Sequence, residues 1–187
     1  MRRQCPATGL AAARPSGGTR FRASKLWLPA LLISAFASAT AALAQPPVIF
    51  LVRHAERAAT SGRVPSDTGL SPEGRARAED LAQALEEAGI TAIYTTEYKR
   101  TKETAAPAAK SLGIRAEVIQ SDDLRTLIPK LKAARGNVLV VGHSNTLPQI
   151  INALGISPRV TVAESDYDNL FLVILNQPPQ LIHLHYR

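Results

Sequence analysis

The chain has 187 residues, with 22 Lys and Arg against 15 Asp and Glu and a formal charge of +7. The excess lies in residues 1–44, which carry Arg2, Arg3, Arg14, Arg20, Arg22 and Lys25 and no acid; the remainder is nearly neutral and has no basic stripe, which excludes a nucleic-acid partner. The single cysteine, Cys5, sits in the same leader, so the rest of the chain has neither a disulfide framework nor a cysteine nucleophile or metal site.

From Leu26 to Phe36 the sequence is almost wholly apolar, preceded by the basic stretch and followed by Ala42-Leu43-Ala44, a small-x-small signal-peptidase pattern. A retained anchor would need about 20 apolar residues, and Pro29, Ser34, Ser38 and Thr40 dilute this run. The expectation is a cleavable signal peptide over 1–44. Residues 45–187 then form one exported domain, periplasmic or secreted, with no stable membrane insertion after cleavage.

Val48 to Val52 is a continuous apolar run, as in a strand buried on both faces, and it stops at Arg53-His54. Ser71-Pro72-Glu73 reads as an N-cap, a proline at the first helical position and an acid in the first turn. Ala78, Leu81, Ala82, Leu85 and Ala88 continue that helix at helical spacing, and Gly89 stops it. Thr91 to Thr95 predicts a second strand and Tyr98 to Leu112 a helix; Ala116 to Ile119 and Asp123 to Ala134 predict a further strand and helix. Val138 to Val141 is another buried strand, ending at Gly142-His143-Ser144, with a helix from Leu147 to Leu154. Asn169 to Leu175 and Leu181 to Tyr186 form a β pair around Gln177-Pro178-Pro179. Alternation at this spacing predicts an α/β class fold, a three-layer α/β/α sandwich with a mostly parallel central sheet. Such sheets bind ligands beyond the carboxyl ends of their strands, where Arg53-His54 and Gly142-His143 both lie.

If those strands are neighbours, Arg53, His54, Arg100 and His143 converge on one pocket. Guanidinium groups suit phosphate oxygens, helix N-termini near Thr101 and Asn145 add backbone donors, and a neutral imidazole can attack phosphorus. The chemistry implied is phosphoryl transfer to a histidine, with a small phosphorylated substrate as partner.

Leu51-Val52-Arg53-His54-Ala55-Glu56 resembles the arginine–histidine–glycine signature of the histidine phosphatase superfamily, the phosphoglycerate-mutase-like group, with Ala55 where glycine is usual. Leu70 to Gly74 with Ala78 and Leu81, Tyr94 to Thr96 with Arg100-Thr101 and Glu103-Thr104-Ala105, and Val141 to Ser144 resemble its later blocks in order. The resemblance implies a metal-independent phosphomonoesterase without cofactor, a short member of branch 1, and the leader adds the expectation that it is exported. In it His54 becomes phosphorylated, Arg53 and Arg100 clamp the phosphate, and His143 donates to a phosphate oxygen. Arg57 and Ser144 join them as substrate-binding candidates. The family's proton donor has no clear counterpart; Asp122 or Asp123 is the first choice and Glu56 the second. A phosphoglycerate-mutase-type transferase and a non-catalytic phosphate-binding module are the alternatives. His183 and His185 share one face of the last strand and lack a third zinc ligand, and Glu164 to Asn169 reads as an acidic turn rather than a calcium loop.

Overall fold

The computed structural model describes residues 45–59, 67–157 and 160–186. The leader and the cleavage site expected at Ala44 lie outside them, as does Cys5. Strand β1 (Val48–Arg53) is followed by α1 (Pro72–Ala84), β2 (Ile90–Thr95), α2 (Lys99–Ser111), β3 (Glu117–Val118), α3 (Leu124–Lys132), β4 (Asn137–Gly142), α4 (Thr146–Ala153), β5 (Asn169–Ile174) and β6 (Gln180–His185). The sheet order is β3-β2-β4-β1-β5-β6. The first four strands run parallel, and β5 and β6 add an antiparallel edge.

Side-chain alternation along the central strands divides the core between two faces. Ile49 and Leu51 of β1, with Val138 and Val140 of β4, pack against Leu127 and Leu131 of α3 and Leu147, Ile150 and Ile151 of α4. Phe50 and Val52, with Leu139 and Val141, pack against Leu81 of α1 and Ala105 and Ala108 of α2. Two helices on each face complete the three-layer sandwich, and a truncation such as Leu139→Ala would cost about 2–5 kcal/mol. Among the described residues no helix is long and apolar enough to cross a membrane.

Helix α1 starts as its sequence dictates: Ser71 Oγ accepts from the Gly74 amide at 3.0 Å, and Pro72 opens the first turn. Gly74 is required by close approach rather than by its dihedrals, since a Cβ there would stand 2.3 Å from the Glu56 carbonyl oxygen. That contact presses α1 onto the chain leaving β1. The third strand is shorter than the run from Ala116 to Ile119 predicts, because only Glu117 and Val118 pair with β2 at this edge.

Candidate active site

Three neighbouring parallel strands, β2, β4 and β1, end at the same edge of the sheet, and each delivers its next residues to one place. Arg53 pairs with Gly142 in register, the His54 amide donates to the Gly142 carbonyl at 3.0 Å, and the rings of His54 and His143 lie 5.3 Å apart at 63°. The turn from β4 into α4 is tight: a Cβ at Gly142 would stand 2.9 Å from Thr146 Oγ1, the atom that accepts from the His143 amide at 2.9 Å. Where the family signature has glycine, the buried Ala55 fits because its methyl group packs with Leu70 and Ala78.

The hydrogen bonds assign the protons. His54 Nδ1 lies 2.8 Å from the Ala55 carbonyl, which can only accept, so Nδ1 carries the hydrogen and the Nε2 lone pair is left for chemistry. His143 Nδ1 is 3.4 Å from Arg100 Nη2, which can only donate, so its hydrogen is on Nε2. That N–H donates to Thr96 Oγ1 at 3.0 Å, Thr96 in turn donates to Thr101 Oγ1 at 2.9 Å, and Thr101 donates to the Tyr98 carbonyl at 2.8 Å. Thr104 closes the arrangement by accepting from the Ala55 amide at 2.9 Å. Burial, helped by the Arg100 charge, holds His143 down to about 4; desolvation first, then the Arg100, His143 and Arg53 charges, hold His54 down to about 3 against its bond to Ala55. Both rings are neutral at neutral pH.

A cavity of about 380 Å³ opens over these rings. Arg100 reaches it with its guanidinium 4.2 Å over the Tyr98 ring, and burial lowers its pKa from the ordinary value. Arg57, Ser144 and Asp122 also line it, as do Asn145, Thr146 and Gln149 at the start of α4. Arg53 is placed differently. It is only 1 % exposed, with Nη1 donating to the carbonyls of Ala163 and Asp166 at 3.0 and 3.4 Å and Nη2 meeting Glu164 at 2.7 Å. Its plane lies 4.2 Å from the Tyr167 ring, and its buried Nε has no hydrogen-bond partner. Arg53 therefore underlies the cavity and anchors the segment before β5 rather than lining the wall.

Of the proton-donor candidates, only Asp122 faces the cavity. Asp123 is corrected to a helix cap: its Oδ1 accepts from the Thr126 amide at 3.0 Å, which holds its carboxyl below the usual range. Glu56 is likewise committed, taking Arg77 at 2.7 Å beside α1, because Gly74 turns its backbone toward that helix. Glu164, which the sequence presents as part of an acidic turn, lines the cavity and accepts from Ser144 Oγ. Its only sequence signal is an acid shortly before the penultimate strand, and no periodicity marks it. His183 and His185 lie elsewhere: His183 stacks on Phe171 at 4.3 Å and bonds Asn169 Oδ1 at 2.6 Å, and His185 meets Asp168 at 3.1 Å. Among the described residues no group of three or more His, Cys, Asp or Glu is placed to hold a metal ion.

Residues 49–128 match the histidine phosphatase superfamily, branch 1. The match spans 80 of the chain's 187 residues. Solved structures share its fold. The protein assigned as phosphohistidine phosphatase SixA in Agrobacterium tumefaciens is 23% identical with a TM-score of 0.55, over 74% of this chain and 98% of that one. The protein histidine phosphatase SixA complexed with tungstate is 18% identical with a TM-score of 0.59, over 74% and 96%. The α-ribazole phosphatase from Shigella flexneri is 18% identical with a TM-score of 0.56, over 74% and 96%. No curated protein matches the sequence. The superfamily match ends at Ile128, so His143 joins the site through the strand register of β1 and β4 rather than through that match.

Proposed function

We propose that this protein is a phosphatase that hydrolyses a phosphomonoester through a phosphohistidine on His54. The observation that carries the reading is the pair of buried, neutral imidazoles 5.3 Å apart, with the Arg100 guanidinium against the second ring, at the floor of one cavity. His54 Nε2 attacks phosphorus, the P–N bond forms and the ester P–O bond breaks with its electron pair leaving on the alcohol oxygen. Ala55 holds the attacking ring in the required tautomer by accepting from Nδ1. Arg100 and His143 stabilise the charge on the transferring group, and Arg53 adds its positive charge from beneath. Water then attacks phosphorus, the P–N bond breaks, and orthophosphate leaves with the His54 lone pair restored. A leaving group that is stable as an anion needs no proton from the protein; a poorer one draws on Asp122, the candidate donor that faces the cavity.

The test is turnover of p-nitrophenyl phosphate by the purified domain in the presence of a chelator. Activity that persists there, vanishes in His54→Ala, and leaves an acid-labile, base-stable phosphoenzyme on rapid quench supports the reading. Tight phosphate binding without nitrophenol release points instead to a binding module. We also propose export, on the basic, apolar and small-residue order of 1–44; recovery of the uncut chain in the cytoplasm on cell fractionation overturns it.

A further inference from the structure

Beside each imidazole of the site, in sequence, stands a donor that already holds an anion. Arg53 precedes His54 and Ser144 follows His143, and the Glu164 carboxylate bridges the two donors. Its Oε2 lies 2.7 Å from Arg53 Nη2, and its Oε1 accepts from Ser144 Oγ. The rest of the Arg53 guanidinium belongs to the fold: Nη1 donates to the carbonyls of Ala163 and Asp166, and Nε is buried without a hydrogen-bond partner among the described residues. Nη2 is thus the donor of Arg53 that a side chain, rather than backbone, holds. That side chain is 75 % exposed and lines the cavity, while the arginine beneath it is 1 % exposed. The Ser144 bond first, then the Arg53 and Arg57 charges, keep the Glu164 carboxyl below the usual range, so it is ionised. One anion with an oxygen on a guanidinium and an oxygen on a hydroxyl is also the way a phosphoryl group is held.

We infer that, in the site read as the phosphatase proposed above, the Glu164 carboxylate is a resident competitor of the substrate: it occupies Arg53 Nη2 and Ser144 Oγ and swings off when a phosphoryl group takes them. The exchange costs little on the protein side, because an ion pair with one exposed member is weak and its carboxylate returns to water. The incoming phosphoryl group brings more charge than a carboxylate and a further oxygen for Arg100. A competitor built into the chain lowers affinity for every ligand of those donors by one common factor, substrate and product alike. Glu164 therefore sets KM and the grip on orthophosphate, and its return helps to clear the site after hydrolysis. The chemical step at His54 does not pass through it.

The experiment is calorimetric titration of orthophosphate into the purified protein and two variants. Glu164→Ala removes both the bridge and its charge. Glu164→Asp keeps the charge but is shorter by one carbon–carbon bond, about 1.5 Å, and no longer spans Arg53 and Ser144. We expect Kd for orthophosphate to fall about 5-fold in the Ala variant and at least about 3-fold in the Asp variant. KM for p-nitrophenyl phosphate and the inhibition constant of orthophosphate should fall by the same factors, while kcat does not rise. Tighter binding in both variants supports the inference, and any other pattern overturns it. A gain in the Ala variant alone reduces Glu164 to repulsion through space, and weaker binding in both makes it a support for Arg53. The titration needs no turnover, so the two readings fail separately: tighter binding without release of nitrophenol removes the phosphatase, and turnover with unaltered binding removes only the competitor.

Discussion

Two pairs of histidines occupy opposite sides of this sheet's chemistry. His54 and His143 are 89 positions apart in sequence and meet with ring centroids 5.3 Å apart at the carboxyl edge of the parallel strands; His183 and His185 are two positions apart on edge strand β6, with centroids 4.9 Å apart. Distance between rings does not distinguish them. Their surroundings do: the first pair is buried, neutral and set against Arg100, while the second is exposed, with one ring stacked on Phe171 and the other facing Asp168. At the parallel edge the Ala55 carbonyl fixes the His54 tautomer, both rings line the cavity, and Arg100 places a positive group beside them, the surroundings that the proposed chemistry requires.

The contrast breaks most sharply on activity. His54→Ala is expected to lower p-nitrophenyl phosphate turnover by at least about 10³-fold, whereas His183→Ala stays within about 2-fold. A comparable loss in both variants would remove the distinction. The next largest effect belongs to Arg100, where Ala should lower kcat/KM by about 10²–10³-fold. Arg100→Lys recovers only part of this, because an ammonium keeps the charge and loses the planar, multiply bonded geometry. Full rescue by Lys would mean that Arg100 acts as a point charge alone.

Stability against pH sharpens the comparison further. Unfolded histidines take up a proton near pH 6.5, but the folded protein delays this to about 3 for His54 and about 4 for His143. Between those limits the unfolded chain binds more protons, so stability rises with pH and is lost on acidification below about 6.5. The slope approaches about 1.4 kcal/mol per pH unit for each buried ring. Urea unfolding at about pH 7 and about pH 5.5 should show this loss, with His143→Asn removing about half of it. His183 is also shifted downward, by partial desolvation and its neighbour His185, but its exposure makes its share smaller. An identical pH dependence in the His143 variant would show that burial does not hold that ring neutral.

Much of the site was legible because backbone order carries it. The apolar runs at Val48 to Val52 and Val138 to Val141 place two strands, and the residues just past each strand must then lie at one edge if the strands pair, as β1 and β4 do. The position of Arg53 was not legible. Its neighbour His54 suggests a shared pocket, but its guanidinium is taken by two carbonyls and the Glu164 carboxylate, partners about 110 positions away in a segment without periodicity. Glu164 escaped for the same reason: a loop carboxylate becomes a cavity wall only through tertiary placement. Glu56 was misplaced by Gly74, whose lack of a side chain lets α1 approach close enough to present Arg77.

The same opposition between exposed duty and cavity duty recurs in the adjacent acids Asp122 and Asp123, and it supplies the smallest expected effect. Asp123 caps α3 by accepting from the Thr126 amide at 3.0 Å, while Asp122 turns to the cavity. Removing a cap leaves a helix amide to water and shortens the first turn, so Asp123→Ala should lower Tm by about 3 °C and leave kcat/KM for p-nitrophenyl phosphate within about 2-fold. Asp122→Ala should do the reverse, with little change in Tm and a loss that grows as the leaving group becomes more basic, since only poor leaving groups need a proton. Thermal melts and a leaving-group series on both variants decide it. A leaving-group dependence appearing in the Asp123 variant instead would move the proton donor to the cap and take it off the cavity wall.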